Sequence, residues 1–198
     1  MLVFMTERLV FLSVPKTGTT AFETALASRA DMVVSNPPEL KHAPFYRYNR
    51  FFRPMFEKAC KVNDMETLAV MREPVDWLGS WYRYRQRPFM KGQPNATHDM
   101  SFDDFVLAYC EDKKPGFANV GSQARFLEKQ QDGEAVSHLF RYEDQPGLIG
   151  FLEDRLKLKL QLARENVSPA LELHLSPKVE ARLKEVRAEE FALYNSIA

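Results

Sequence analysis

Apolar residues in this chain come in short blocks, separated by stretches with helical spacing, and that alternation predicts its elements. Residues 9–14 read as a first strand and residues 19–30 as the helix after it. Residues 32–35 form a short second strand, and Asn36-Pro37-Pro38 breaks it into a loop reaching Pro44. A helix is expected over residues 48–62, kinked or interrupted at Pro54, which has no backbone N–H to donate. Residues 68–71 are a strand and 75–87 a helix, followed by a long polar loop over 88–100 that contains Pro88, Gly92, Pro94 and Asn95. Ser101-Phe102-Asp103-Asp104 has the make-up of a capped helix start, and that helix runs to about Cys110. Beyond the turn at Lys113-Lys114-Pro115-Gly116, a helix is expected over residues 119–131, closed by Asp132-Gly133. Residues 136–140 are a strand, and residues 145–158 a helix with Leu148, Phe151, Leu152 and Leu156 on one face. A final helix starts at Ser176-Pro177 and extends to Tyr194, and no repeat, linker or low-complexity tract interrupts the chain.

Strands alternating with helices imply parallel βαβ units and therefore an α/β fold. In such sheets ligands bind beyond the carboxyl ends of the strands. Two predicted strand ends carry residues suited to that place.

The first strand ends in Pro15-Lys16-Thr17-Gly18-Thr19-Thr20, just before the first helix. A tight strand-to-helix turn leaves backbone N–H groups aimed at one spot, and the helix N-terminus adds partial positive charge. Gly18 permits close backbone approach, the threonine hydroxyls add donors, and Lys16 brings a mobile positive charge. The construction suits a phosphate or sulfate group. It is not the usual nucleotide-binding loop, because the lysine precedes the glycine and the loop is shorter.

The strand at 68–71 leads into Arg72-Glu73-Pro74, and Pro74 opens a helix where its missing N–H costs nothing. Ser80 follows eight residues after Arg72. An arginine at a strand end and a serine on the next helix can converge on one phosphate, the arginine through a bidentate charged contact.

Together these segments resemble the sulfotransferases that use 3′-phosphoadenosine-5′-phosphosulfate. In that family a Pro-Lys-Thr/Ser-Gly-Thr-Thr loop holds the 5′-phosphosulfate, and an Arg followed by Ser eight residues later binds the 3′-phosphate. Pro15, Lys16, Thr17, Gly18, Thr19 and Thr20 match the first motif, and Arg72, Pro74 and Ser80 the second. Tyr142-Glu143-Asp144 and Asn166-Val167-Ser168-Pro169 look like later landmarks of the family. The resemblance implies a three-layer α/β sandwich of the P-loop type, with a central parallel sheet of about four to five strands. It also implies sulfuryl transfer to a hydroxyl or amine on a small-molecule or carbohydrate acceptor, with no metal. The best-known cytosolic branch has Trp after the Gly-Thr-Thr, where this chain has Ala21, and closes over the 3′-phosphate with a late basic glycine-rich segment not found here. The short form resembles bacterial relatives of the carbohydrate type.

Sulfuryl transfer to a hydroxyl requires a base, and neutral histidine suits that role near pH 7. His42 follows the second strand, where the family often places its base. Glu39 and Glu23 are the alternatives, although Glu23 is expected to face away on the first helix. His98, His138 and His174 have no metal-ligand spacing and read as structural. Arg47, Arg50 and Arg53 with Lys58 and Lys61, and Arg83, Arg85 and Arg87, read as solvated basic faces that would also suit an anionic acceptor. Phe45, Tyr46, Tyr48, Phe51 and Phe52 fit a core, a lid or an acceptor pocket equally.

At 198 residues the chain fits one domain over 1–198, large enough to fold without a disulfide or metal. Cys60 and Cys110 form no Cys-x-x-Cys pair and read as free buried thiols. Zero net charge argues against general nucleic-acid binding. Residues 1–100 nevertheless carry 14 Lys/Arg against 10 Asp/Glu, consistent with an anionic ligand in that half. No apolar run approaches a membrane span or forms a secretory leader, so a cytoplasmic enzyme is expected; the oligomeric state is open. Two rival readings are a nucleotide-dependent kinase or other phosphotransferase on a related fold, and a non-catalytic nucleotide-binding protein.

Overall fold

The chain is described from a computed structural model over residues 1–162 and 171–197. The Asn166-Val167-Ser168-Pro169 string lies outside these residues. The described chain divides into two compact units, one of residues 1–72, 123–162 and 197 and the other of residues 73–122 and 171–196. Among the described residues the strands are β1 (Leu2–Phe4), β2 (Leu9–Phe11), β3 (Met32–Val33), β4 (Glu66–Met71) and β5 (His138–Arg141). The α-helices are α1 (Thr19–Leu26), α2 (Pro38–Lys41), α3 (Phe45–Arg47), α4 (Arg53–Ala59) and α5 (Pro74–Arg85), followed by α6 (Phe102–Cys110) and α7 (Gln123–Phe126). They continue with α8 (Gln145–Leu156), α9 (Pro177–Val186) and α10 (Ala188–Asn195).

All the strands belong to the first unit, where they form one sheet in the order β3-β1-β2-β4-β5. β2 pairs with β4, and β4 with β5, in parallel. β1 runs antiparallel to both of its neighbours. The fold is therefore α/β, with a mostly parallel five-stranded sheet flanked by helices, as the alternation of strands and helices predicts. β4 is buried from Thr67 to Met71, the continuous apolar run of a central parallel strand. One face of the sheet presents Leu2, Phe4, Leu9, Phe11, Leu68 and Val70 to Phe22 and Leu26 of α1 and Leu148, Leu152 and Leu156 of α8. Val3, Val10, Ala69 and Met71 alternate to the other face and are also fully buried.

Several expectations are corrected here. β1 was not foreseen; Leu2-Val3-Phe4 is too short for a readable period and is fixed by pairing on both sides. The expected helix over 48–62 begins as a π-helical turn, Tyr48–Phe52, ahead of Pro54, continues as α4 and ends at Ala59. The Arg53 N–H reaches the carbonyl of Tyr48 there, and Pro54 falls in the first turn of α4, where it breaks no helical bond. The helix expected over 119–131 shrinks to α7: Gly121 has φ +86°, and the polar residues from Glu128 onward leave the helix for a turn. Both cysteines are free, but Cys60 is exposed while Cys110 is buried. His138 bonds Glu66 at 3.0 Å and packs at a tilt against the Phe151 ring, a structural arrangement.

The second unit is helical. α5 opens at Pro74 as expected, and the Glu73 carboxylate accepts the Asp76 N–H at its start. α6 begins with the anticipated cap: Ser101 and Asp104 form a reciprocal capping box. Trp77, Leu78, Tyr82, Phe105, Tyr109 and Leu183 share its core. The expected last helix is two, α9 and α10, broken at Arg187 (φ −123°, ψ 40°), whose guanidinium packs on the Tyr109 ring and donates to the Tyr109 carbonyl. Among the described residues no helix is long and apolar enough to cross a membrane.

Candidate functional site

The chain leaves β2 on the same line as its neighbour, since the Leu12 N–H still bonds the Leu68 carbonyl at 2.8 Å. It then turns sharply into α1. Lys16 sits at φ +66° and Gly18 at φ +73°. Two left-handed residues in so short a loop bend the backbone inward, and for lysine that conformation carries strain of about 1–2 kcal/mol. The fully buried Thr17 holds the bend, its hydroxyl donating to the Val14 carbonyl at 2.9 Å. That hydroxyl therefore braces the loop instead of pointing a donor outward. Gly18 is the residue before α1, with no side chain capping the helix, and is exposed; Thr19 is buried and Thr20 partly so.

Arg72 leaves the end of β4 beside this loop. Its Nη1 donates to the Lys16 carbonyl at 3.3 Å. Its guanidinium lies over the Tyr142 ring, 4.4 Å from the centroid. Tyr142 stands at the end of β5, its N–H bonded to the Met71 carbonyl at 2.8 Å. The same ring walls the glycine: a Cβ at position 18 would stand 2.9 Å from Tyr142 Cε2. The loop, the arginine and the tyrosine thus enclose one point at three adjacent strand ends.

Gln123 was not foreseen. Fully buried, it accepts the Arg72 N–H and donates to the Arg72 carbonyl, both at 2.9 Å. A glutamine in a four-residue helix carries no sequence pattern that would signal such a clamp. Ser80 lies in the second unit, buried on α5.

His42 joins the loop from the other side. Its Nδ1 lies 2.7 Å from the Ser13 carbonyl, three residues ahead of Lys16. A carbonyl only accepts, so Nδ1 carries the hydrogen and Nε2 keeps its lone pair. Burial lowers the His42 pKa below its ordinary 6.5; the Ser13 bond and Glu23 oppose this, while Lys41 and the Met1 amine add to it. The ring is therefore neutral near pH 7. Glu39, one turn earlier, is exposed.

Glu23 corrects an expectation. It does not face away, but accepts from the Ser13 hydroxyl at 2.9 Å and from Lys41 Nζ at 2.6 Å. Burial raises its pKa, yet the bonds from Lys41 and Ser13 and the nearby Met1 amine outweigh that and hold it below the usual carboxylate value. A carboxylate so engaged is a poor proton acceptor.

The basic segment after His42 divides. Arg53 is committed to Glu134 in a bidentate pair. Arg47 lies over Tyr46 and Arg50 over Phe51. Phe45 and Tyr48 are core residues, whereas Tyr46 and Phe51 are exposed. Among the described residues no group of three His, Cys, Asp or Glu side chains is placed to hold a metal ion.

No family model and no curated protein matches the chain. Among solved structures it is similar to a sulfotransferase from Alicyclobacillus acidocaldarius, at 14% identity over 95% of each chain, with a TM-score of 0.49.

Gly18 is the loop position least able to change, since any side chain there meets both a left-handed backbone and the Tyr142 ring. Gly18→Ala is expected to lower stability by about 1–3 kcal/mol. In chemical unfolding the loss should be smaller in a Tyr142→Ala background, and an equal loss in both backgrounds would remove the ring from the account.

Proposed function

We propose that the chain is a sulfotransferase using 3′-phosphoadenosine-5′-phosphosulfate, with a small-molecule or carbohydrate acceptor. What supports this reading is one contact: Arg72, from the second motif, bonds the Lys16 carbonyl of the first, 56 residues away in sequence. Lys16 and Arg72, one residue from each motif, share one corner of the sheet. The loop also suits an anion at its backbone: Gly18 is exposed and carries no Cβ, and the Tyr142 ring stands where a side chain would go.

When bound, the donor supplies an activated sulfuryl group whose link to the 5′-phosphate is weak. The backbone N–H groups of Gly18, Thr19 and Thr20, with the outer threonine hydroxyl, hold the 5′ end. Thr17 and Pro15 shape the loop around it. Arg72, and by its spacing in the sequence Ser80, take the 3′-phosphate. Tyr142 keeps the guanidinium oriented by stacking. Nε2 of His42 accepts the acceptor's proton as its oxygen bonds to sulfur. The bond pair released from sulfur goes to the departing 5′-phosphate oxygen, and the Lys16 ammonium neutralises that charge. Such a site acts by positioning and electrostatics.

The reading is tested most directly by ligand-induced melting shifts. 3′,5′-adenosine bisphosphate at about 100 times its dissociation constant should add about 2.7 kcal/mol of stability. 5′-AMP, and ATP with magnesium, should add much less. Equal shifts for the bisphosphate and AMP would remove the case for a 3′-phosphate site, and a larger shift with magnesium–ATP would favour a phosphotransferase.

Lys16→Ala should spare binding of the bisphosphate and lose about 3–4 kcal/mol of barrier stabilisation, a factor of some hundreds in kcat. Weakened binding with unchanged turnover at saturation would make the lysine a ground-state anchor only.

Turnover should rise with pH through a midpoint below the ordinary histidine value of 6.5 and level off above it, since protonated imidazole cannot accept a proton. His42→Ala should lose this limb along with about 10²–10⁴ in kcat. Retention of the limb in the variant would assign the base to another group, Glu39 being the next to test.

A further inference from the structure

We infer that Glu23 is a positioning residue for His42, its carboxylate tying together the strand that holds the imidazole and the helix that carries it. The inference rests on the reading of His42 as the base.

The geometry runs through both carboxylate oxygens. Oε1 accepts from the Ser13 hydroxyl at 2.9 Å, and Ser13 is the residue whose carbonyl accepts His42 Nδ1–H. Oε2 accepts from Lys41 Nζ at 2.6 Å, and Lys41 is the neighbour of His42 at the end of α2. One side chain on α1 therefore braces both ends of the histidine's hydrogen bond. The Glu23 and Lys41 side chains are only 12% and 19% exposed, so their attraction is screened less than that of a surface pair. The Ser13 hydroxyl has no freedom to turn away, because it donates to Glu23 while accepting from the Met1 amine at 2.8 Å. Glu23 sits one helical turn after Thr19, so the helix that begins at the anion loop is the same helix that anchors the base.

The charges around the imidazole come from three elements: Lys41 on α2, the Met1 amine beside β1, and Glu23 on α1. Lys41 is a cation that opposes protonation of the ring, and the Met1 amine, whose pKa burial lowers to about 6, joins it as the pH falls through that value. Glu23 is the anion that offsets them. It thereby keeps the imidazole basic enough to take a proton while burial keeps it neutral. The two roles, holding and tuning, fall on one carboxylate.

The two charged partners make the test, because their removal acts in opposite directions. The histidines of the full chain are followed by NMR titration in the wild type, Glu23→Gln and Lys41→Met, the His42 signal being identified by its loss in His42→Gln. Glu23→Gln should lower the His42 midpoint, and Lys41→Met should raise it, each by about half a pH unit or more. Glu23→Gln should also lower kcat at least tenfold with little change in the donor's KM, and Glu23→Asp should recover part of that loss. A residue that merely supports the fold would not move the midpoint in opposite directions through its two partners. If neither variant moves the midpoint, or both move it the same way, the positioning role is overturned. If both midpoints move as expected but no adenosine-bisphosphate binding or sulfuryl transfer is found, the network stands and only the proposed activity falls.

Discussion

Everything at the candidate site depends on the parallel pairing of β2 with β4. Leu9, Val10 and Phe11 lie opposite Glu66, Thr67 and Leu68, and the Leu12 N–H adds one more bond to the ladder. That register makes β2 end three residues before β4 does, which leaves room for residues 13–18 to fold over the edge beside Arg72. β5 pairs on the far side of β4 and runs to the same level, so Tyr142 arrives where Arg72 leaves the sheet. A slip of two residues between β2 and β4 would preserve the buried faces, but displace the loop by about 6–7 Å from the arginine. The apolar sides of the strands exclude a one-residue slip, and the polar loops inherit their separation from the register that forms.

The loops then hold one another through groups that are mostly used up. Thr17 closes its own turn, Gln123 spends both ends of its amide on the Arg72 backbone, and Glu23 spends both oxygens on Ser13 and Lys41. On the proposed reading, a ligand meets the backbone at Gly18 and the start of α1 and the charges of Lys16 and Arg72. An anion arriving there meets a cradle already bent, with the left-handed strain at Lys16 met in folding and not at binding. Such prior ordering is what allows a polar site to bind without a large loss of entropy.

The sequence made the loop legible because few residue types can build it. Gly18 is required by its backbone angle and by the ring beside it, and Pro74 is favoured by its place in a first helical turn. The capping box at Ser101 and Asp104 was legible for the same reason, a local bond between neighbours in the chain. Glu23, Gln123 and β1 were not legible, because their meaning comes from residues far away. Helical spacing puts Glu23 above Thr19, but says nothing of Lys41 and Ser13 lying on that side. Gln123 gains its function only when β4 ends beside it. The overlong helix predicted at 119–131 failed for the opposite reason: its composition permits a helix, but Gly121 and the clamp on Arg72 demand a shorter one. Arg187, which splits α9 from α10, is likewise explained by Tyr109, 78 residues away.

The π-helical turn at Tyr48–Phe52 has a consequence for the length of this segment. In an α-helix, positions seven apart are nearly aligned, while positions eight apart diverge by about 80°. Tyr48 and Phe56 are eight apart, yet both are buried and their ring centroids lie 6.4 Å from each other. The wide turn absorbs one residue without advancing the helix, so the eighth position does the work of the seventh. Tyr48–Phe52 thus behaves as an α-helical segment with one residue inserted. Removing one residue there would let an unbroken α-helix keep both aromatic rings in phase. The same removal within α4 would rotate Phe56 away from Tyr48. The segment beside His42 therefore has one place where the chain can change length and keep its core.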